Sequence, residues 1–183
     1  MTLGISDILI MFLYAVVYTA PIWMCNMFTS FCGKLNFCPN APVDGGKTLK
    51  DGRRLFGENK TWRGLIGGSI IGILIGVLIW YLNTLYSFFD FSYPFFIGVP
   101  MVIGDHIADL LGSYIKRRLD IKPGGTIPLY DQGSWMVVGI LLALPFTSPI
   151  PWAYVLIIII LTPLLHILLG FVSMWLKIKK VWY

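Results

Sequence analysis

Two aspartates, Asp105 and Asp109, stand four residues apart in the stretch GDHIADLLGSYIKRR, which otherwise has the composition of a membrane helix. At 3.6 residues per turn they share one helical stripe with Ser113 and Lys116, and Asp105 lies about 16 Å deeper than Lys116. Carboxylates inside a membrane are costly and usually line a site or a pathway. Two of them at this spacing repel each other unless a cation lies between them. The stripe therefore predicts a metal site rather than a structural pair of acids.

The ligand types in this stripe favour magnesium. Carboxylates with no nearby cysteine and only one adjacent histidine suit Mg²⁺ rather than zinc. His106 follows Asp105, but its side chain is expected to point about 100° away around the helix. His166, in the last apolar stretch, is more typical of a packing histidine. We therefore leave both histidines out of the site and expect Mg²⁺ as the cofactor.

A basic loop supplies the complementary charge. The stretch DGRRLFGENKTWRGLIGG, residues 51–68, combines arginines and lysines with glycines that allow close approach of the backbone. Bases grouped in this way bind phosphates, Arg in a bidentate manner and Lys as a point charge. Bases can also merely orient a protein on anionic lipid, which suits the three lysines of the C-terminal segment. Phosphate binding is the better interpretation where polar residues are interleaved, at Asn59, Lys60, Thr61 and Arg63.

These groups must be positioned by a membrane protein, because the chain of 183 residues is 57% hydrophobic and only 13% charged. Its mean hydropathy of +0.77 is far above that of a soluble domain. We expect one domain, residues 1–183, with an all-α fold of five transmembrane helices. The five apolar stretches are residues 5–31, 65–82, 93–115, 135–146 and 152–176. The fourth is short for a span of about 20 residues and is expected to return through a tight turn.

The placement of the basic residues indicates the topology of the chain. Of the 14 lysines and arginines, seven lie between the first and second stretches and four between the third and fourth. The other three follow the fifth stretch: Lys177, Lys179 and Lys180. Five spans place all three groups on one side, which the positive-inside rule makes cytoplasmic. We therefore expect a multi-pass cell-membrane protein with its N-terminus outside, and with its C-terminus and a polar site built from two loops, 32–63 and 116–133, in the cytoplasm. The formal charge of +5 then reflects topology, and we expect no nucleic-acid partner.

Two further patterns concern packing and thiols. Gly64, Gly68, Gly72 and Gly76 recur at every fourth residue and predict a face for close helix packing. The expected partner of that face is another span or a second subunit, which leaves a homodimer open, and a groove for lipid chains is the alternative. The three cysteines match no metal-binding spacing and are interpreted as free cytoplasmic thiols: Cys25, Cys32 and Cys38.

The stretch DLLGSYIKRRLDIK, residues 109–122, resembles the signature of the CDP-diacylglycerol synthases, the membrane cytidylyltransferases of phospholipid synthesis. Ser113, Lys116, Arg117 and Lys122 fit that signature without a gap, and Asp109 takes the place of its aspartate. The segment NKTWRG, residues 59–64, resembles a second family motif, with arginine in place of an acid. The segment LYDQGS, residues 129–134, is shorter than the family's and retains one matching aspartate, Asp131. The small size and the segment PVDGGK, residues 42–47, are most similar to the CDP-archaeol synthases.

This resemblance implies the reaction and assigns the residues. It implies an enzyme of archaeal ether-lipid synthesis that joins CTP to digeranylgeranylglycerol phosphate, giving CDP-archaeol and pyrophosphate. The metal ligands are expected to be Asp105, Asp109 and Asp131. The catalytic residues are expected to be Asp105, Asp109, Lys116 and Arg117. The residues expected to bind CTP or phosphate are Asn59, Lys60, Thr61, Arg63, Ser113 and Lys122.

Two alternatives stay open in the sequence. One is a CDP-diacylglycerol synthase that acts on an ester lipid, because no motif reports the chemistry of the lipid chains. The other is a small cation-coupled transporter that uses the acids as a relay. A transporter predicts polar residues in several spans and on both faces, whereas here they are concentrated on one.

Overall fold

The computed structural model describes residues 5–35, 40–122, 124–147 and 152–175. These residues form five α-helices and a short 3-10 helix at Leu144–Phe146. The α-helices are α1 Ile5–Lys34, α2 Trp62–Tyr86, α3 Gly98–Arg118, α4 Tyr130–Ala143 and α5 Trp152–Trp175. Within the described ranges no β-strand forms beyond two isolated bridges, so the all-α prediction is confirmed. Cys38, the side chain of His166 and the three C-terminal lysines lie outside what the structure describes.

Large apolar surfaces cover the outside of the helices. Side chains on α2 and α5 expose much of their area: Ile66, Ile70, Leu74, Leu156, Ile160 and Leu164. Contiguous exposed apolar surface is typical of protein that faces a membrane or a partner. Two helical segments, Leu9–Lys34 and Trp62–Tyr86, are long and apolar enough to cross a membrane, and Val155–Leu165 is a shorter apolar helix. The structure supports a helical membrane protein, and the number of five spans stays a prediction.

The helix ends differ from the predicted apolar stretches for local reasons. α2 begins at Trp62, because Thr61 is its N-cap and Thr61 Oγ1 accepts a hydrogen bond from the amide of Gly64 at 3.3 Å. α4 begins at Tyr130, five residues before the predicted start, because its first turn carries polar side chains. The amide of Leu129 there donates to Gln132 Oε1 at 2.7 Å. Apolarity alone therefore underestimates the helices at the end of the bundle where these polar residues lie.

The glycines of α2 form a packing face against other helices of the same chain. All four are buried. A Cβ atom added to Gly64 would lie 2.7 Å from the carbonyl oxygen of Thr29 in α1. One added to Gly76 would lie 2.9 Å from Cα of Gly98 in α3. The predicted glycine face is confirmed, with α1 and α3 as its partners.

A second close approach joins α3 to α4. A Cβ atom added to Gly104 would lie 2.5 Å from Cα of Gly139. One added to Gly139 would meet Ile22 of α1 at 2.7 Å and the carbonyl oxygen of Met101 at 3.1 Å. Because both glycines lack side chains, the backbones of α3 and α4 come within van der Waals contact. This crossing fixes how the helix that carries the two aspartates lies against its neighbours.

The end of the bundle opposite the basic loops is closed by aromatic rings. Tyr18 of α1 is buried and meets Phe89, Phe91 and Tyr93 edge-on, with ring centroids 5.6–6.3 Å apart. Phe89 stacks on Phe91 at 4.8 Å. Edge-on and offset ring pairs of this kind add to the stability of apolar burial. The two ends of the protein therefore differ sharply, one aromatic and the other charged.

Asp44 organises the loop between α1 and α2. Its carboxylate, fully buried as a side chain, accepts hydrogen bonds from Arg54 Nη2 and from the amides of Gly46, Phe56 and Gly57, at 2.5–3.1 Å. Burial by itself would raise the pKa of the carboxyl. The Arg54 bond and the three amide bonds outweigh burial and hold the pKa of Asp44 well below its usual range. The loop thus folds around a buried anion and turns back on itself.

Arginines fasten this loop to the end of α3. Arg53 Nη1 donates to the carbonyl oxygen of Arg118 at 2.6 Å. In return, Arg118 Nη2 donates to the carbonyl oxygen of Arg54 at 2.6 Å, and Arg118 Nη1 pairs with Asp51 at 2.6 Å. The last carbonyl groups of a helix lack partners within the helix, and Arg53 satisfies one of them. These contacts therefore fix the position of the loop relative to the C-terminal end of α3.

Gly72→Ala tests the packing face. The added Cβ would lie 2.6 Å from Val102 Cγ2 and 2.9 Å from the carbonyl oxygen of Pro21, so we expect a loss of about 1–3 kcal/mol. Helix propensity alone predicts a gain of about 1 kcal/mol. Thermal melts in detergent show whether the substitution raises or lowers the stability of the folded protein. Gly133→Ala is the control, because its Cβ would make ordinary contact with Pro163 at 3.4 Å. Equal effects of the two substitutions would contradict the packing assignment.

Asp44→Asn tests the buried anion of the loop. The amide cannot accept all of these hydrogen bonds, so we expect a loss of about 1–3 kcal/mol. Because the folded-state pKa is depressed below about 3.9, this stability is fully present above that pH and is lost as the pH falls through the folded-state pKa. Melts of wild type and variant should therefore differ by a constant amount from about pH 5 to pH 8 and converge only in strong acid. Asp51→Asn is the control, because this carboxylate is exposed and its loss should change the melting temperature little. If Asp44→Asn has the same melting temperature as Asp51→Asn, the buried anion of Asp44 does not stabilise the loop.

Candidate active site

A polar cavity of about 280 Å³ lies at the charged end of the bundle. The C-terminal half of α1, the loop before α2, the end of α3, the loop after it and the start of α4 all line this cavity. Its lining contains three acids and three bases, namely Glu58, Asp109, Asp131, Lys60, Lys116 and Arg117. The two predicted polar loops therefore contribute to one site, and its formal charges cancel.

Lys60 and Asp109 form the first ion pair of the cavity. Lys60 Nζ lies 2.5 Å from Asp109 Oδ1 and 2.6 Å from Oδ2, so the ammonium bridges both oxygens of the carboxylate. Each side chain is about three-quarters buried. Such a pair is much less screened than one on the protein surface. It joins the loop before α2 to the middle of α3.

Lys116 and Asp131 form a second pair of the same kind. Lys116 Nζ lies 3.0 Å from each oxygen of Asp131, which stands in the first turn of α4. The same carboxylate accepts a hydrogen bond from the amide of Ile127 at 2.8 Å. An acid in the first turn of a helix also suits the positive end of the helix dipole. This pair joins α3 to α4 and fixes the end of the loop between them.

Arg117 and Ser113 complete the wall of the cavity formed by α3. Arg117 lies over Gly57, where an added Cβ would be 3.5 Å from Nη1. Gly57 has a φ of +103°, a conformation that favours glycine. The Nε atom of Arg117 is buried without a hydrogen-bond partner among the described residues. Ser113 is buried and donates to the carbonyl oxygen of Asp109 at 2.9 Å.

Asp105 lies beneath the cavity and does not line it. The residue is 1% exposed. Its Oδ1 accepts a hydrogen bond from Asn26 Nδ2 at 3.0 Å, and its Oδ2 accepts one from Cys25 Sγ at 3.3 Å. The expectation that His106 points away from Asp105 is wrong, since His106 Nδ1 lies 3.4 Å from Asp105 Oδ2. The packing of α1 and α2 around this turn of α3 brings the two neighbouring side chains together.

The remaining predicted residues have different surroundings. Arg63 donates to the carbonyl oxygens of Cys32 and Gly33 at 3.0 and 3.2 Å, where its charge suits the C-terminal end of α1. Thr61 caps α2 and lines a second cavity of about 360 Å³, which shares Asn59 and Lys60 with the first. Lys122 is exposed and stands outside the lining of either cavity.

Several residues of the site were not expected from the sequence. Asn26, Thr29 and Ser30 of α1 line the cavity opposite α3. Their spacing places them on one face of the helix, so polar residues at positions i, i+3 and i+4 of an apolar stretch were a usable signal. Tyr130 was also missed. Its ring packs on Gly112, where an added Cβ would lie 2.6 Å from the ring, and its hydroxyl donates to the carbonyl oxygen of Ala108 at 3.3 Å.

The cavity is chemically suited to an anion that arrives with a divalent cation. Carboxylate and hydroxyl oxygens are the ligands that Mg²⁺ prefers, and Asp109 and Asp131 offer them beside Ser113. Both carboxylates are neutralised by lysines, and these same lysines can bind phosphate oxygens. The donor set therefore fits magnesium. A separate group that could hold a metal ion consists of Cys25, Asp105 and His106.

Known proteins resemble this chain along most of its length. A CDP-archaeol synthase of Pyrococcus furiosus is 40% identical over 126 residues, which are 68% of this chain and 73% of the relative. One of Methanosarcina barkeri is 30% identical over 175 residues, 87% of this chain and 97% of the relative. A solved structure described as an intramembrane enzyme for archaeal membrane lipids biosynthesis superposes with a TM-score of 0.72 at 26% identity, covering 87% of this chain and 94% of the other.

The match to a family is equally broad. A family model described as "CarS-like: CDP-archaeol synthase" matches residues 6–183. The resemblance predicted from the small size of the chain and from the segment at residues 42–47 is thereby confirmed: the chain belongs to the CDP-archaeol synthase family.

Proposed function

We propose that this protein is a membrane cytidylyltransferase that transfers CMP from CTP to digeranylgeranylglycerol phosphate and yields CDP-archaeol and pyrophosphate. One observation carries the proposal: a cavity at the end of an apolar helix bundle holds two lysine–aspartate pairs and an arginine. Such a site can bind two phosphate compounds, one of them delivered by the membrane. The name of the relatives, CDP-archaeol synthase, supports this product.

The reaction needs charge neutralisation more than a base. An oxygen of the lipid phosphate forms a new bond to the α-phosphorus of CTP, and the bond from that phosphorus to the pyrophosphate oxygen breaks. A phosphate monoester has its second pKa near 6, so this oxygen is already largely ionised at neutral pH. The barrier is the approach of two polyanions and the charge that develops on the leaving pyrophosphate.

Three bases of the cavity are suited to this task. Lys60 and Lys116 are held by carboxylates and can exchange these partners for phosphate oxygens over a short distance. Arg117 can bind a phosphate through two parallel hydrogen bonds. Because Lys60 lines both cavities, it is placed to contact phosphates in each. We assign the binding of CTP to the cavity lined by Lys116 and Arg117.

Asp109 and Asp131 would hold Mg²⁺ in this proposal. When bound, the ion neutralises negative charge at the reacting phosphates. The sequence also predicts Asp105 as a ligand, and that assignment stays a prediction. Both oxygens of Asp105 already accept hydrogen bonds from α1, so the magnesium proposal is argued from the two aspartates that line the cavity.

The proposed topology follows from where CTP is found. The charged end of the bundle would lie at the cytoplasmic surface, with five spans and the N-terminus outside. The charged side of the bundle contains the C-terminal ends of α1 and α3 and the N-terminal ends of α2 and α4. A chain whose successive helices cross a membrane in opposite directions has this arrangement. A homodimer also stays a prediction.

A labelled-nucleotide assay tests the proposed reaction. The purified protein in detergent should transfer label from α-³²P-CTP to digeranylgeranylglycerol phosphate and release unlabelled pyrophosphate. Removal of divalent ions should stop the transfer, and Mg²⁺ should restore it. Phosphatidic acid with ester chains, assayed in parallel, distinguishes an ether-lipid enzyme from an ester-lipid enzyme. Failure to label either lipid would overturn the proposal.

Asp109→Asn should lower turnover at least a hundredfold, since lost metal catalysis costs several kcal/mol. The amide also leaves Lys60 without its counter-ion. Asp120→Asn is the matched control, because Asp120 follows the end of α3 with an 83% exposed side chain outside the cavity. Turnover in the labelled-nucleotide assay measures both variants. Retention of more than about a tenth of the activity by Asp109→Asn would remove Asp109 from the metal site.

Cysteine labelling tests the topology. Cysteines introduced at Ser87 and Lys50, both exposed, should react oppositely in intact cells, with only Ser87→Cys labelled by an impermeant reagent from outside. Lys50→Cys should react after permeabilisation. Cys25 is fully buried, so replacing Cys32 and Cys38 by serine gives the background. Labelling of Lys50→Cys from outside would place the basic loop away from cytoplasmic CTP and overturn the topology.

A further inference from the structure

A compact cluster of metal-ligand side chains lies beneath the polar cavity. Cys25 comes from α1, and Asp105 and His106 come from α3, one helical turn before Asp109. Asp105 Oδ2 lies 3.3 Å from Cys25 Sγ and 3.4 Å from His106 Nδ1, and one ligand atom from each of the three residues lies within 4.8 Å of the others. Separations of this size suit three ligands of one ion, whose bonds to Zn²⁺ are about 2.0–2.3 Å long.

The contacts of His106 leave one nitrogen without a partner. Nε2 lies 3.2 Å from the carbonyl oxygen of Leu65, 2.8 Å from Ser69 Oγ and 3.8 Å from Cys25 Sγ. A carbonyl oxygen only accepts, so the tautomer in which His106 donates to Leu65 carries its hydrogen on Nε2. In this tautomer Nδ1 carries a lone pair. The atom is buried without a hydrogen-bond partner among the described residues, and it faces a carboxylate oxygen of Asp105. Two acceptors that face each other need a proton or a metal ion between them.

The surroundings of the cluster match those of metal ligands. A metal-bound histidine commonly donates its other N–H to a backbone carbonyl, as Nε2 does to Leu65. The ligating carboxylate is commonly hydrogen-bonded too, as Asp105 Oδ1 is by Asn26. A thiolate, a carboxylate and a neutral imidazole together cancel the charge of a divalent ion, which a buried site requires. The thiolate selects zinc over magnesium.

We propose that Cys25, Asp105 and His106 form a binding site for Zn²⁺. This assignment replaces the prediction that Asp105 binds magnesium and leaves Asp109 and Asp131 as the magnesium ligands. In the metal-free protein the Cys25 thiol donates to Asp105, and binding of the ion releases this proton to solvent. Asn26 contacts both Asp105 and the cavity, so the floor of the cavity is the entry path. The bound ion fastens α1 to α3 at the turn that precedes Asp109.

Cobalt binding tests this site without CTP or lipid. Protein stripped of metal and kept reduced is titrated with Co²⁺. We expect one ion per chain, a near-ultraviolet thiolate-to-cobalt absorption band, and loss of the band when Zn²⁺ is added. Cys25→Ser should abolish the band, whereas Cys32→Ser, a change at the partly exposed thiol two turns along α1, should keep it. His106→Gln should weaken binding at least about tenfold.

The outcomes separate this proposal from the catalytic one. If the wild-type protein shows no absorption band, a proton rather than a metal ion occupies the cluster, and the zinc site is overturned. The proposal of Mg²⁺-dependent turnover is not affected by that result. A band that persists in Cys25→Ser also overturns it. Thermal melts show whether each variant is folded. Should Cys25→Ser fail to fold, the comparison of His106→Gln with wild type decides, and equal affinities would reject the site.

Discussion

Charge neutralisation at one end of an apolar bundle is the constraint on which the site depends. Lys60 neutralises Asp109, and Lys116 neutralises Asp131, each by contact with both carboxylate oxygens. A partly buried carboxylate that lost its lysine would keep the cost of desolvation without the attraction that offsets it. Each pair also joins two elements, the first loop to α3 and α3 to α4. The contacts that neutralise the two aspartates are therefore the same contacts that assemble the cavity.

The rest of the structure holds these pairs in place. The glycine face of α2 lets α1 approach closely enough for Asn26 to reach Asp105. The glycine contact between α3 and α4 brings Asp131 within reach of Lys116. The loop that carries Lys60 is held by the buried Asp44 carboxylate and by the arginines at the end of α3. Small residues in the bundle and fixed charges in the loop thus both position the two lysine–aspartate pairs of the cavity.

Local periodicity accounts for what the sequence predicts well. Asp109, Ser113 and Lys116 share a helical stripe, and all three line the cavity. Helix geometry links residues three and four apart, so this result needs no knowledge of the other helices. The match of Lys60 to a family motif also led to a residue of the cavity, although its pairing with Asp109 could not be read from spacing.

Predictions that depend on contacts between helices were less accurate. Asp105 shares the stripe with Asp109, yet α1 covers it, and no local pattern reports which helix lies above it. Arg63 lies in the first turn of α2 and donates to carbonyl oxygens at the end of α1, a contact that spacing within its own helix does not indicate. His106 was expected to point away because a helical wheel gives the direction of Cβ but not the rotamer that packing selects. The missing information is tertiary in each case.

The balance of charges also bears on the order of binding under the proposed function. A cavity with three acids and three bases gains little from a bare polyanion, because each phosphate must first separate a lysine from its aspartate. A nucleotide that arrives with a divalent ion supplies both replacement partners at once, phosphate for the lysines and metal for the carboxylates. The exchange then conserves the number of ion pairs in a medium where unpaired charge is costly. A lipid phosphate alone brings no cation, so the same balance favours CTP with its metal as the first ligand.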